Sequence, residues 1–584
     1  MPTLNLQHAL LRYIQETNGA GHDGAGWSDW LPAIGCPVES NDDSTVVVEV
    51  FPDRPDLLSH ETMARAARSF LGSVVEDPSM EVSDSGIEMT VDASLAEVRP
   101  VILAAVVRGV NTGETSEEKG EFIQSLMDHQ EKLHLTLGRK RRFSSIGVHD
   151  LSTLVAPFRV VTVPSSHSFV PLAMTEEMSI EQILGEHPKG MEYAHLMEEL
   201  DSFPVILDCN DDILSFPPII NGDHTTVSET TTDFFIDVTG WSQRACEACL
   251  MLVCLSLAER GGSVQSVRVT GHDGITASTP RGDARQHRIP HRLIQKVLGL
   301  DLGSDEIAAA LTRMGGQLVE SRTVTDGVNS AERWADCVVG EREHVVAMPR
   351  WRSDIMHPID IVEDIAIGYG YDNMPEQLPT VHLDAVPLKS SHLRRRVRAS
   401  LRAHGIQETQ SLTLSNERDQ FERIRWPQGG GLSIIANPIT VDHTMLRQYM
   451  LPSLMKLLAA NRHHELPQKV YELGTVVRDS ANATRVAWAC AEVGGGFTAA
   501  KGIAQALLRD IGAEAGDIHF EAVDHRDGPW IGGRGARAMV SNEEIGQFGE
   551  IDPAVSHEFG LRSPIQAGEF DIDAISRLIP DPVL

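Results

Sequence analysis

Apolar and polar positions along the chain alternate with two periods, and these divide it. Val46-Val-Val-Glu-Val-Phe51, Pro100-Val-Ile-Leu-Ala-Ala-Val-Val-Arg108 and Phe234-Phe-Ile-Asp-Val-Thr-Gly240 are short, branched and apolar, which predicts strands. Helical spacing marks residues 61–70, with Ser59 placed to cap them, and then 121–134 and 244–260. It continues over 289–298, with Pro290 at the start, and over 303–316, where Ser304 suits the N-cap and glycines stop the turn. The acidic stretch 74–96 reads as loop, and Glu186-His-Pro-Lys-Gly-Met191 as a turn. Towards the end, 393–404 predicts a helix stopped by Gly405, 408–414, 470–477 and 545–551 predict strands, and Met445 opens a helix towards Asn461. The pattern is that of an α+β chain with several domains. A small α/β unit occupies 1–90, a strand-rich domain 91–272, a helix-strand unit 275–375 and a last sheet domain 388–584, with a Pro-containing linker over 375–387.

The most patterned stretch is Arg350-Trp-Arg-Ser-Asp-Ile-Met-His-Pro-Ile-Asp-Ile-Val-Glu-Asp-Ile-Ala-Ile-Gly-Tyr-Gly-Tyr371. Pro358 suits the first helical turn, and Gly368 and Gly370 suit its end. Asp360, Glu363 and Asp364 stand at i, i+3 and i+4 on one face, and Asp354 lies just upstream. Carboxylates gathered this way repel one another unless something positive sits among them, and a hard divalent cation such as Mg²⁺ suits their oxygens. A solvated acidic face meets the same spacing.

A second candidate lies between 186 and 240. Pro217-Pro218 is a rigid element followed by Asn221, Asp223 and His224, as a pocket mouth would be, and period-two geometry puts Asp237 and Thr239 on one side of their strand. No side chain there is an obvious nucleophile. Arg139-Lys-Arg-Arg142 is the most basic spot in the chain and suits a phosphate backbone. Arg54 reads as a partner of Asp53 or Asp56 shaping a turn, or else as an RNA or subunit contact.

Composition narrows the classes. The formal net charge of −33 argues against RNA binding by this chain alone as its main role. No apolar run reaches the roughly 18 residues a membrane helix needs, and the N-terminus lacks a signal peptide's basic start and apolar run. Seven scattered cysteines suit reduced thiols in a cytoplasmic protein, with Cys246 and Cys249 read as core packing rather than a redox or zinc pair.

Pro-Arg-Trp-Arg-Ser-Asp-Ile, followed by Ile-Asp-Ile-Val-Glu-Asp and Tyr-Gly-Tyr over 349–371, resembles the B5-domain signature of the phenylalanyl-tRNA synthetase beta subunit family. The resemblance implies Mg²⁺ bound by Asp354, Asp360, Glu363 and Asp364 at the contact with an alpha subunit, in an α2β2 enzyme that charges tRNA(Phe) using ATP. Asp53-Arg-Pro-Asp-Leu-Leu-Ser59 resembles the family's B1 unit, and the block ending in Asp237-Val-Thr-Gly240 its B3/B4 editing domain. That domain implies hydrolysis of tyrosine wrongly joined to tRNA(Phe), with Asp237, Thr239, His224 and Asn221 as editing residues, and Lys189 and the 139–142 cluster guiding the tRNA end. Residues 388–584 resemble a class II synthetase core without its ATP-clamping arginines. Gly532-Gly-Arg-Gly-Ala-Arg537 is read as lying before a strand, not at the head of a helix. The resemblance spans nearly the whole chain and suits the shorter, archaeal type of subunit. It leaves two rivals, a scaffold with a decayed editing pocket and a free-standing Mg²⁺-dependent hydrolase.

Overall fold

The structure, a computed structural model, describes residues 2–330, 332–376, 378, 386–524 and 528–579. Most of the expected linker, 377 and 379–385, therefore lies outside the described residues. The chain divides into two compact units, Met1–Leu378 and Pro379–Leu584.

The first unit holds three main sheets. Thr3–Gln7, Thr45–Glu49 and Val38–Asn41 form an antiparallel sheet with the middle strand central, and the helices His8–Thr17 and His60–Leu71 belong to the same region. Ser59 caps the second of these, accepting from Thr62 N at 3.2 Å. Arg54 forks onto Asp56 with two 2.9 Å bonds, so it shapes the turn before that helix. The largest sheet has Val101–Arg108, Phe234–Gly240 and Ser144–Asp150 side by side at one end, all antiparallel. The helix Gln243–Ala258 packs beneath them and is apolar almost all round. Its Cys246 and Cys249 are core residues, with burial pushing their thiols up to about 11 and about 12.

Several local expectations change. Residues 83–91, expected as loop, form a nine-residue strand running parallel to Ser263–Thr270 and Phe158–Val163. Of this strand only Met89 and Val91 are buried, so its apolar signal is weak and distant partners define it. The 121–134 helix begins earlier, at Ser116, because Thr115 and Glu118 close a capping box. The expected turn at 186–191 is mostly the short helix Pro188–Tyr193.

The third sheet, Arg285–Pro290, Arg342–Met348 and Gln317–Thr323, is covered by the helices His291–Leu298, Ser304–Arg313 and Pro358–Tyr369. Gly303, rather than Ser304, takes the N-cap of the middle helix, its N–H donating to Glu306 at 2.7 Å. Gly368 is a packing residue, since a Cβ there would stand 2.0 Å from the Ala310 carbonyl oxygen. Gly370, at φ 94°, ends the helix.

Two buried histidines make this unit sensitive to acid. Burial pushes His129 and His344 down to about 4. Their folded values lie below the ordinary one, so the unfolded chain binds the extra protons. Stability is complete above about 6.5 and falls as pH drops towards about 4. The urea midpoint of the first unit should fall over that window, and His129→Asn should flatten the slope.

The second unit is built on a seven-stranded sheet in the order Gln407–Glu408, Gln468–Arg478, Ala481–Ala491, Ile565–Asp571, Glu543–Ile551, Trp530–Val540 and Ile518–Ala522. Every pairing is antiparallel except the first. Lys389–Ala403, Phe497–Asp510 and Ile572–Leu578 pack on one face, and Leu451–Ala460 with Pro553–Glu558 on the other. Gly532–Arg537 lies inside the strand Trp530–Val540, not before one. The helix expected from Met445 starts at Leu451, after a two-residue strand.

Candidate functional site

The paired strands Phe234–Gly240 and Ser144–Asp150 put Thr239 opposite Ser145, Asp237 opposite Gly147 and Phe235 opposite His149. All six are on the face away from the buried helix. Asp237 is 1% exposed, yet it lines a cavity of about 220 Å³ together with Ser145, Gly147, Asn221 and Thr225. Gly147 makes this possible, because a Cβ there would stand 2.1 Å from Asp237 Oδ1. The space it leaves lets His149 Nε2 meet that oxygen at 2.8 Å, while His149 Nδ1 meets Thr225 Oγ1 at 2.8 Å. With Nε2–H donating to the carboxylate, Nδ1 accepts from the threonine hydroxyl. The other oxygen of Asp237 has no protein donor among the described residues. It is a buried acceptor facing a cavity, suited to a ligand hydroxyl.

Thr239 plays a different part. It does not line the cavity. Its hydroxyl accepts from Arg99 Nε at 2.6 Å and meets Ser145 Oγ at 3.0 Å. Arg99 also donates to Ser145 Oγ and to the carbonyls of Arg141 and Thr239. Burial lowers this guanidinium to about 10, still charged at neutral pH, so a cation lies behind the strand that carries Asp237. Asn221 lines the cavity and reaches Val148 O at 3.3 Å. His224 is exposed and outside the lining, with its ring beside Gly222.

The basic cluster divides. Arg139, Lys140 and Arg142 are exposed, but Arg141 turns inward. It donates to the carbonyls of Pro218 and Ile219 at 3.1 and 2.9 Å, pairs with Glu131 at 2.5 Å and lies 4.4 Å over the Tyr193 ring. It ties the Pro217-Pro218 wall to the helix Ser116–Leu135 and leaves the group expected to meet phosphate. Lys189 also lines the cavity.

Sequence spacing did not find His149, and it gave Arg141 only as one of a phosphate-facing cluster. His149 lies 88 residues from Asp237, and only strand pairing brings them together. The alternation Ser145, Gly147, His149 along one strand face was the available signal.

The acids of the 350–371 stretch are divided among different partners. Arg352, 5% exposed, donates to Asp354 at 2.7 and 3.0 Å and to Asp364 Oδ1 at 2.9 Å. Asp360 instead accepts the N–H groups of Met356 and His357, both at 2.7 Å, at the start of its own helix. Among the described residues no three His, Cys, Asp or Glu side chains form a group able to hold a metal ion. Two observations still fit a cation. Asp364 Oδ2 is buried with no hydrogen-bond partner. Partial burial and the surrounding acids, Asp364 first, raise the carboxyl of Glu363, and burial raises that of Asp364 despite Arg352. For Asp354 the attraction of Arg352 outweighs burial, and its carboxyl is lowered. The donors are all oxygens, as Mg²⁺ prefers, but this chain supplies an incomplete set.

No helix among the described residues is long and apolar enough to cross a membrane.

Three family models match the chain: the B3/4 domain over 98–254, the tRNA synthetase B5 domain over 287–371, and the phenylalanyl tRNA synthetase beta chain CLM domain over 374–572. A phenylalanine–tRNA ligase beta subunit of Methanococcoides burtonii is 36% identical over 98% of this chain and 100% of its own length. One from Archaeoglobus fulgidus is 38% identical over 93% and 94%. A solved N-terminal fragment of the phenylalanyl-tRNA synthetase beta subunit of Pyrococcus horikoshii is similar at a TM-score of 0.55 and 31% identity, covering 63% of this chain and 99% of the fragment. With full-length relatives at this identity and B3/4, B5 and CLM domains in order, the chain belongs to the phenylalanine–tRNA ligase beta subunit family.

Proposed function

We propose that this chain is the proofreading and docking subunit of a cytoplasmic α2β2 phenylalanine–tRNA ligase, and that its own cavity hydrolyses Tyr-tRNA(Phe). The observation that carries this reading is the second oxygen of Asp237, a buried acceptor with no protein donor among the described residues, in a cavity of about 220 Å³. Tyrosine differs from phenylalanine by one hydroxyl. A synthesis pocket rejects such near-isosteres incompletely, and a second pocket corrects the error. Asp237 accepts the tyrosine hydroxyl. Phenylalanine offers no donor and would leave the carboxylate desolvated and unpaired. Asn221 orients the bound amino acid from the opposite wall, and Thr239 holds Arg99 behind the strand. His224, next to the cavity-lining Thr225, stays exposed for the tRNA end, with Lys189 at the wall. Water is the attacking group, positioned by the pocket and by the substrate's own hydroxyls.

The alpha subunit supplies adenylate formation in this reading, and residues 388–584 are a class II-type core that pairs with it. The lack of a glycine-led helix at 532–537 supports that division. Glu363 and Asp364, with Asp354 and Asp360 nearby, would hold Mg²⁺ together with donors from outside this chain. The ion would stiffen the subunit junction. The purified chain alone should not form Phe-tRNA(Phe) from phenylalanine and ATP, and adding the alpha subunit should restore charging. Charging at a normal rate by the chain alone would refute the division of labour. Gly147→Ala tests the pocket separately. Its Cβ displaces the Asp237 carboxylate, so tyrosine release should slow by about tenfold or more while charging is kept.

A further inference from the structure

The two strands that carry the cavity end beside a group of exposed cations and an exposed indole. The loop 136–143 leaves the helix Ser116–Leu135 and enters the strand Ser144–Asp150, whose Ser145 and Gly147 line the cavity. Within it Arg139, Lys140 and Arg141 take φ of 46°, 56° and 65°, a left-handed run that non-glycine residues rarely adopt. The run is held from both sides. Gly138 closes against the strand, where a Cβ would stand 2.4 Å from the Ser144 carbonyl oxygen, and Arg141 is pinned by the Pro218 and Ile219 carbonyls and by Glu131. Arg139, Lys140 and Arg142 are thereby kept exposed beside a cavity that Arg141 lines. Trp241 directly follows the strand Phe234–Gly240, and its N–H donates to the Phe143 carbonyl at 3.1 Å, so it borders this loop. Its side chain is 50% exposed, whereas six of the eight tryptophans are 6% exposed or less. Arg244, three residues on, is exposed too and donates to the Ser353 carbonyl at 2.5 Å and to the Met356 sulfur.

Among the described residues none of Arg139, Lys140, Arg142 and Arg244 has a carboxylate within ion-pair reach. Acids on the neighbouring elements are engaged elsewhere, Glu131 by Arg141 and Glu247 by Arg281 and Arg285. In a chain of net charge −33, four such cations beside an exposed indole mark a place for an anion with flat faces. A single-stranded nucleic acid has that chemistry, with phosphates for the guanidinium and ammonium groups and a base for the indole. A duplex keeps its bases stacked on one another and offers the ring no face. An acidic peptide would use the cations and leave the indole bare.

We propose that Trp241 is the stacking platform for a base of a single-stranded RNA end, whose phosphates lie on Arg139, Lys140, Arg142 and Arg244 and which is led from there to the cavity. The identity of that end, the aminoacylated 3′ end of a tRNA, rests on the hydrolytic reading of the cavity; the binding itself does not. Fluorescence anisotropy of the full-length chain with a labelled single-stranded RNA of about eight nucleotides tests it, against the same RNA as a duplex and a polyglutamate peptide. Saturable binding of the single strand is expected, with the duplex and the peptide weaker. Trp241→Ala should lose about tenfold, Trp241→Phe should stay within about threefold of the parent, and Trp241→Leu should behave like the alanine variant. Arg142→Gln should lower the slope of log affinity against log salt by about 0.7. No saturable binding of the single strand, duplex or peptide binding as tightly, affinity unchanged in Trp241→Ala, or leucine serving as well as phenylalanine would overturn the proposal. Tyrosine release by the assembled enzyme separates the two readings. Trp241-dependent binding with no release by the parent would sink the hydrolytic reading alone, and release with kcat/KM unchanged in Trp241→Ala would sink this proposal alone.

Discussion

Asp237→Asn should slow the release of tyrosine from Tyr-tRNA(Phe) by about 100-fold and leave phenylalanine charging by the assembled enzyme unchanged. The substitution is close to isosteric. Its amide oxygen still accepts from His149 Nε2, which stands 2.8 Å from the carboxylate in the parent chain. What changes is the atom facing the cavity, from a charged acceptor to an NH2 donor. A tyrosine hydroxyl then meets a donor, and the feature separating tyrosine from phenylalanine is lost. Deacylation of purified Tyr-tRNA(Phe), read beside the urea midpoint, checks this. Slowed release at an unchanged midpoint is the expected pair. Asp237→Ala is the less clean variant, since it strands His149 and adds a stability cost of about 1–3 kcal/mol.

Arg352→Met should destabilise the first unit by about 3–5 kcal/mol at neutral pH, the range for breaking a buried ion pair from one side. The guanidinium serves Asp354 and Asp364 together, and Asp364 is 2% exposed. Without it both carboxyls lose their hydrogen-bonded cation and keep only the charge of Arg54, and their folded pKa values rise above those of the unfolded chain. The linkage then has a definite sign. Such groups favour folding at low pH and lose that contribution as pH rises through the folded values. The deficit of the variant should therefore be greatest near neutrality and shrink as pH falls towards about 4. Urea titrations of parent and variant across that range provide the check. A deficit constant with pH would mean that Arg352 acts through packing alone.

Local chemistry was legible where neighbours in sequence supply it. Pro358 and Gly370 bound their helix as capping rules require, Ser59 caps its helix, and Arg54 closes its turn on Asp56. Strand Phe234–Gly240 was legible from length and branching alone. What failed depended on distant partners. Strand Ser83–Val91 has two buried residues and borrows its definition from strands far along the chain. The Arg139–Arg142 cluster looks uniform in sequence, yet the loop turns one of its members onto the Pro218 and Ile219 carbonyls. The acid helix presented its carboxylates on one face as spacing predicts. Its resident cation, Arg352, came from the same quoted stretch, and no periodicity marks an arginine as pointing inward. In the candidate pocket, Asp237 and its strand could be read from sequence, whereas Gly147, His149 and Arg99 required the sheet register.

The most direct measurement gives the assembled enzyme Tyr-tRNA(Phe) and Phe-tRNA(Phe) side by side, without ATP, and follows release of each amino acid. A pocket built around the open oxygen of Asp237 predicts rapid loss of tyrosine, with phenylalanine released at least about 100-fold more slowly. Equal release of the two, or release of neither, would contradict it.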